Sequence, residues 1–230
     1  MTDVAVVDYG MGNLRSMAKA LEHVGAPCVV ITDDAERIAR ADRVVFPGQG
    51  AVRDCMSALH EHDLVAVLAE VMADRPFLGV CMGMQALMTV SEENGGVAAL
   101  DAIPGEVRHV RRLTEGDSRL KIPHMGWNRV NQVRGHPLWQ GIDDDDWFYF
   151  VHSYYVAPAD ETLVHGTATY GQPFAAAIGR GNVFATQFHP EKSQHAGLRL
   201  LSNFLHWDGT AEDRTSTARP RSRDAANTRY

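Results

Sequence analysis

"PFLGVCMGMQAL", Pro76–Leu87, places a lone cysteine between an apolar run and a stretch with apolar residues at helical spacing, with glycine two positions before it and two after. "PFLGV" reads as a buried strand and Met82 to Thr89 as a helix. The five residues between, "GVCMG" (Gly79–Gly83), have the form G-x-C-x-G, a cysteine version of the nucleophile elbow. Such a turn is sharp and strained, and flanking glycines avoid steric clash. It would stand Cys81 at the C-terminal edge of a sheet, where open α/β sheets bind ligands. The helix that follows would turn its N-terminus toward the sulfur and favour thiolate. The Met82 N–H would face an oxyanion hole. The competing reading is a buried structural cysteine. That reading suits Cys28, inside a strand, and Cys55, on a helix, but leaves both glycines around Cys81 unexplained.

Upstream of the elbow, strand and helix patterns alternate. "VAVVDYG" (Val4–Gly10) is a short apolar run closed by turn residues. Asn13 is an N-cap for a helix carrying Leu14, Met17, Ala18, Leu21 and Val24 on one stripe, and Gly25 ends it. "PCVVIT" is a strand, "DAERIARA" a short helix, "RVVFPGQGA" a strand running into a glycine loop, and about Val52 to Ala73 one helical stretch. This alternation predicts a parallel sheet covered on both faces. After Gly95 the texture becomes β-rich and antiparallel: "GEVRHVRRL", "HMGWNRVNQV", "DWFYFVHSYYV", "TLVHGTATYG", "PFAAAIGRG" and "NVFATQF". His195–Trp207 closes the chain as an amphipathic helix with Leu198, Leu201, Phe204 and Leu205 on one stripe. From Asp208 to Tyr230 there is no apolar periodicity, which predicts a domain over 1–207 and a disordered tail over 208–230. "DDDD" (Asp143–Asp146) reads as a solvated turn.

Composition removes several classes of function. The 230 residues carry a formal net charge of −7, and 45% are hydrophobic. A mildly acidic chain lacks the clustered Lys and Arg that phosphate backbones and anionic membranes require. No apolar run reaches the length of a membrane span, and the acidic N-terminus does not read as a signal peptide. Three cysteines, none in CxxC spacing, argue against a disulfide framework and a cysteine-ligated zinc, and fit a reducing cytosol.

A thiolate nucleophile needs a proton shuttle and a group that orients it. Among 11 histidines, His189 in "ATQFHPEKS" has the best setting: a strand delivers it, Pro190 stiffens the turn, and Glu191 lies where its carboxylate can fix the imidazole tautomer. A turn histidine beside a solvated glutamate is the alternative. "FPGQGA" (Phe46–Ala51) leaves backbone N–H groups at Gly48, Gln49 and Gly50 open to a small ligand. Alone it would be an ordinary turn; at the same sheet edge as Cys81 it becomes a candidate oxyanion hole.

The elbow, the "PGQG" loop and "HPEKS" together resemble the class I, triad-type glutamine amidotransferases. The resemblance implies a flavodoxin-like three-layer α/β sandwich, with a mostly parallel central sheet and an additional antiparallel part. It implies hydrolysis of the glutamine side-chain amide by Cys81, His189 and Glu191 through a γ-glutamyl thioester, with Gly48, Gln49, Gly50 and Met82 at the oxyanion. No metal or other cofactor is implied. "DYGMGNLRS", "KIPHMGWN" (Lys121–Asn128) and "FYFVHSYY" (Phe148–Tyr155) extend the similarity over about residues 3–207, to the branch of the family that serves a separate (β/α)8-barrel cyclase in histidine biosynthesis. That partner would use the ammonia to make imidazole glycerol phosphate and aminoimidazole carboxamide ribotide.

In this branch Gln85, Glu93, His152, Ser153 and Tyr154 are implied to hold the glutamine head group. Asn13, Arg15, Lys121, Pro123, His124, Met125, Gly126, Trp127, Asn128 and Lys192 are implied to face the partner. Read without the family, Trp127 and the aromatics of "WFYFVHSYY" would be core, and Glu93 a solvated residue past a helix. The alternatives are a glutaminase for another synthase, such as pyridoxal 5′-phosphate synthase, a self-sufficient cysteine hydrolase, or a binding module that has lost its chemistry. "PHMGWN" argues against the first and the intact Cys–His–Glu set against the last. There is no GxxxxGK[ST] loop and no spare domain for an acceptor.

Overall fold

The computed structural model describes residues 3–115, 117 and 119–210. The alternation before the elbow resolves into β1 (Asp3–Val7), α1 (Leu14–His23), β2 (Cys28–Thr32), α2 (Ala35–Arg40), β3 (Arg43–Gly48), α3 (Val52–Glu61), α4 (Leu64–Asp74) and β4 (Phe77–Cys81). A single turn, α5 (Met82–Gln85), follows the cysteine. Then come β5 (Val90–Ser91), β6 (Val97–Ala98), β7 (Gly105–His109), β8 (His124–Gln132), β9 (Asp146–His152), β10 (Tyr154–Pro158), β11 (Val164–Tyr170), β12 (Gln172–Arg180), β13 (Val183–Thr186) and α6 (Gln194–His206).

Nine strands form one sheet in the order β2-β1-β3-β4-β13-β12-β11-β8-β9. The pairs from β2 to β13 are parallel and those from β13 to β9 antiparallel. The β-rich half is therefore continuous with the parallel half, and β13 is the hinge between them. Period-two alternation assigns each strand's side chains to two cores. Val4 and Val6 pack with α1 and α6 residues such as Met17, Leu21, Leu200 and Phe204. Ala5 and Val7 pack with Ile38, Leu59 and Leu68 from α2, α3 and α4. Helices on both faces make three layers, which is why β1 and β4 read as unbroken apolar runs. A second sheet, β10-β7-β5-β6, joins the core on the α2–α4 side through Val107 and Val156.

Three local expectations are corrected. The stretch from Val52 to Ala73 is two helices, because Asp63 sits at φ 55° in the left-handed region, which Asp tolerates better than most residues. The helix expected to reach Thr89 stops at Gln85. The carbonyls of Ala86, Leu87 and Met88 bond instead to the N–H groups of Leu100, Ile103 and Asp101. "DWFYFVHSYYV" is not one strand: it changes sheets at Ser153, where β9 ends and β10 begins. The proposed tail over 208–230 lies outside the described residues beyond Thr210.

Candidate active site

β3 and β4 are parallel neighbours in a register that sets Gly48 beside Cys81, so the glycine loop and the elbow share one sheet edge. Cys81 has φ 56° and ψ −104°, a strained backbone for a residue with a side chain. The glycines around it work by absence of bulk. A methyl on Gly83 would overlap the Phe46 carbonyl, and one on Gly79 would crowd the Ala185 side chain. A methyl on Gly48 would overlap the buried Tyr9 hydroxyl and press on Met82. Gly50 sits at φ +99°, a conformation glycine adopts without cost.

His189 follows β13 and is clamped on both backbone sides. Its N–H donates to the Tyr149 carbonyl at 2.9 Å, and the Ser193 hydroxyl donates to its carbonyl at 2.6 Å. Its Nδ1–H donates to Glu191 Oε1 at 2.9 Å, with both side chains about nine-tenths or more buried. The other ring nitrogen, Nε2, and Glu191 Oε2 are buried without a hydrogen bond among the described residues. Burial lowers the His189 pKa, but the neighbouring Cys81 sulfur and the Glu191 carboxylate, which accepts from Nδ1, outweigh it and push it up to about 10. The Cys81 sulfur and the Glu191 carboxylate thus both favour the protonated imidazole. Cys55, by contrast, is held as a thiol by burial, which pushes its pKa up to about 12. The three cysteines are free.

Cys81 opens on a cavity of about 460 Å³. Gln49, Gly50 and Met82 line one side, and Gln85, Glu93 and the His152–Tyr154 segment the other. The structure thus brings Cys81, Gln49 and Gly50 of the glycine loop, Met82 and the implied head-group residues to one cavity, while Gly48, His189 and Glu191 are not among the residues that line it. Glu93 is anchored there by accepting from the Val52 N–H at 2.8 Å, capping α3 just after the glycine loop. A larger groove of about 980 Å³, between β10 and β12, contains no cysteine or histidine.

His152 and His124 form a buried pair. The Tyr154 carbonyl can only accept, so His152 Nδ1–H donates to it at 2.8 Å, and His152 Nε2 accepts from His124 Nδ1 at 2.8 Å. Burial pushes both imidazoles down, to about 3 for His152 and about 4 for His124, so both are neutral. His124 is 3% exposed and stacked on Phe150 and Tyr170, so its side chain is turned inward from β8, unlike those of Met125 and Trp127. Asn13, Arg15, Lys121, Pro123, Met125 and Trp127 are exposed. Gly126, Asn128 and Lys192 are half-buried. Asn13 also caps α1, accepting from the Ser16 N–H. Met125 and Trp127 share the outer face of β8, and Tyr149 and Trp147 lie beside them on β9.

Sequence reading missed Tyr149 and Val151, which line the cavity from β9, and Gln187, which is fully buried and donates to Cys81 Sγ at 3.6 Å. Gln187 lies just past the end of β13, two residues before His189, in a bend that carries no periodic signal.

Comparison with known proteins agrees with this fold. Residues 5–207 match the family model described as "Glutamine amidotransferase class-I". The imidazole glycerol phosphate synthase subunit HisH of Methylococcus capsulatus is 58% identical over 212 residues, covering 90% of this chain and 98% of the relative. That of Pseudomonas syringae pv. syringae is 56% identical over 210 residues, covering 91% and 99%. Solved structures share the fold at low identity. PurLQS from Thermotoga maritima superposes with TM-score 0.65 at 18% identity, over 89% of this chain and 97% of that one. The glutaminase domain of Trypanosoma brucei CTPS gives 0.62 at 15% identity, over 92% and 97%.

Proposed function

The chain belongs to the class-I glutamine amidotransferase family, and from that premise we propose the chemistry its elbow performs. Its function is that of the glutaminase subunit of imidazole glycerol phosphate synthase, in histidine biosynthesis. The observation that carries the chemical reading is the strained Cys81 turn opening on a cavity beside the buried His189–Glu191 pair.

The Cys81 thiolate attacks the side-chain amide carbon of glutamine, and the carbonyl electron pair moves onto oxygen. The Met82 N–H and one from the Gly48–Gly50 loop receive that charge. His189 gives its proton to the departing nitrogen, the C–N bond breaks, and ammonia leaves a γ-glutamyl thioester. Water then adds to the thioester carbon and gives a proton to His189. The C–S bond breaks, and glutamate and thiolate are restored. Glu191 holds the imidazole in the tautomer that presents Nε2 to the reaction. Glu93 and the His152–Tyr154 segment receive the glutamine head group.

Ammonia released to water is protonated and lost as a nucleophile, so it is passed under cover to a (β/α)8-barrel cyclase acting in the same cytoplasm. Met125 and Trp127, with Lys192, Asn13 and Arg15, face that partner. The glycine at position 50 leaves the "PGQG" backbone free to rotate an N–H into the oxyanion hole when the loaded barrel docks. Glutamate release is therefore low for the isolated chain and rises with the barrel partner and its ribotide present. A chain fully active alone would contradict this.

A further inference from the structure

The cysteine stands before one turn of helix, too short to concentrate the N-terminal charge that a full helix dipole supplies. Two other groups meet the sulfur, the Val151 carbonyl at 3.9 Å from Sγ and, closer, an amide donor. Gln187 Nε2 lies 3.6 Å from Cys81 Sγ, and the Gln187 side chain is completely enclosed.

Which end of that amide faces the sulfur is decided by a string of bonds beginning at a group that cannot change role. The Tyr154 carbonyl only accepts, so the nitrogen of Gln85 faces it, at 2.9 Å. The same nitrogen lies 3.1 Å from the Gln187 side chain, which must answer with its oxygen. Gln187 is then left with its NH₂ toward Cys81. The N–H of Gln187 bonds to the Ala176 carbonyl, which fixes the backbone from which the side chain reaches. A donor aimed at sulfur favours the form with most negative charge there, and in a buried site such a bond to an ion is stronger than one between neutral groups.

We propose that Gln187 is a further catalytic residue: its amide N–H holds the Cys81 sulfur in its ionised form and in one direction, and Gln85 and the Tyr154 carbonyl set the amide the right way round. The division of labour with His189 follows from chemistry. His189 must give up its proton during each cycle, whereas the Gln187 amide does not titrate and keeps its bond throughout. Gln85 is thereby tied to the nucleophile as well as to the head-group segment, since its nitrogen is engaged by both Tyr154 and Gln187.

The inference rests on Cys81 being the nucleophile. It is tested in the full complex with the barrel partner, using Gln187→Met and Gln187→Glu. Three quantities are measured: the pH profile of Cys81 alkylation by iodoacetamide, glutamine hydrolysis, and synthesis from added ammonium salt. The expected result is alkylation slowed at neutral pH and recovered at higher pH, kcat for glutamine hydrolysis lower by about 10-fold or more, and ammonia-dependent synthesis retained. Alkylation and hydrolysis within about twofold of wild type in both variants would overturn it. Loss of ammonia-dependent synthesis in both would also count against it, assigning Gln187 to the framework rather than to the sulfur. If complete alkylation of wild-type Cys81 left glutamine hydrolysis untouched, the nucleophile assignment itself would fail.

Discussion

Cys81→Ala lowers glutamine-dependent synthesis by the complex about 10,000-fold or more and leaves synthesis from ammonium salt near wild type. The size follows from what the sulfur does: without it no thioester forms, and the oxyanion hole and binding cavity alone supply only residual catalysis. Survival of the ammonia route follows from the local structure. Alanine keeps the Cβ and hence the backbone turn at φ 56°, and the glycines that admit Phe46 and Ala185 are untouched. The substitution removes only the sulfur and leaves the exposed Met125 and Trp127 of β8 in place, so docking persists. Steady-state assays with glutamine and with ammonium as nitrogen source measure both halves. Retained glutamine use would remove Cys81 from the mechanism.

Glu191→Gln lowers glutamine hydrolysis by about 100- to 10,000-fold and changes the pH dependence of stability. The carboxylate is 3% exposed and bonds to His189 Nδ1 at 2.9 Å, so an amide there loses the negative charge and leaves the ring free to take the wrong tautomer. In the native protein the His189 pKa is raised from 6.5 to about 10. A group raised on folding stabilises the folded state fully below its unfolded value, and that contribution is lost as pH rises through the folded value. Cys81 supplies the larger part of that rise and Glu191 the rest, so the stability gap between wild type and Glu191→Gln is full below about pH 6.5 and closes as pH rises toward about pH 10. Thermal unfolding across that range reads it directly. A gap that widened with rising pH would show that His189 is not held as a cation.

The elbow was legible because its requirement is local: a sharp turn, a nucleophile and small neighbours all fall within five residues. The reason for one of those glycines was not. Gly83 makes room for the Phe46 carbonyl, which arrives from a neighbouring strand. The early end of α5 was hidden for the same cause. Leu87 and Met88 continue the helical apolar spacing, but their carbonyls are taken by backbone from residues 101–103. His189 and Glu191 were readable from a spacing of two and a proline. Gln187 was not singled out, since nothing in the chain shows that its amide meets Gln85 and Cys81 across more than a hundred residues. His124 shows the opposite limit. It sits in a surface motif whose neighbours Met125 and Trp127 are exposed, yet strand alternation turns it inward onto Phe150 and His152.

The central claim is that a covalent thioester forms on one sulfur. Acid quenching of the complex during turnover with isotope-labelled glutamine, followed by peptide mapping, tests it most directly. Label is expected on the peptide carrying Cys81, released by hydroxylamine and absent from Cys81→Ala. Glutamate release at full rate with no label on that peptide, or with label on another residue, would contradict it.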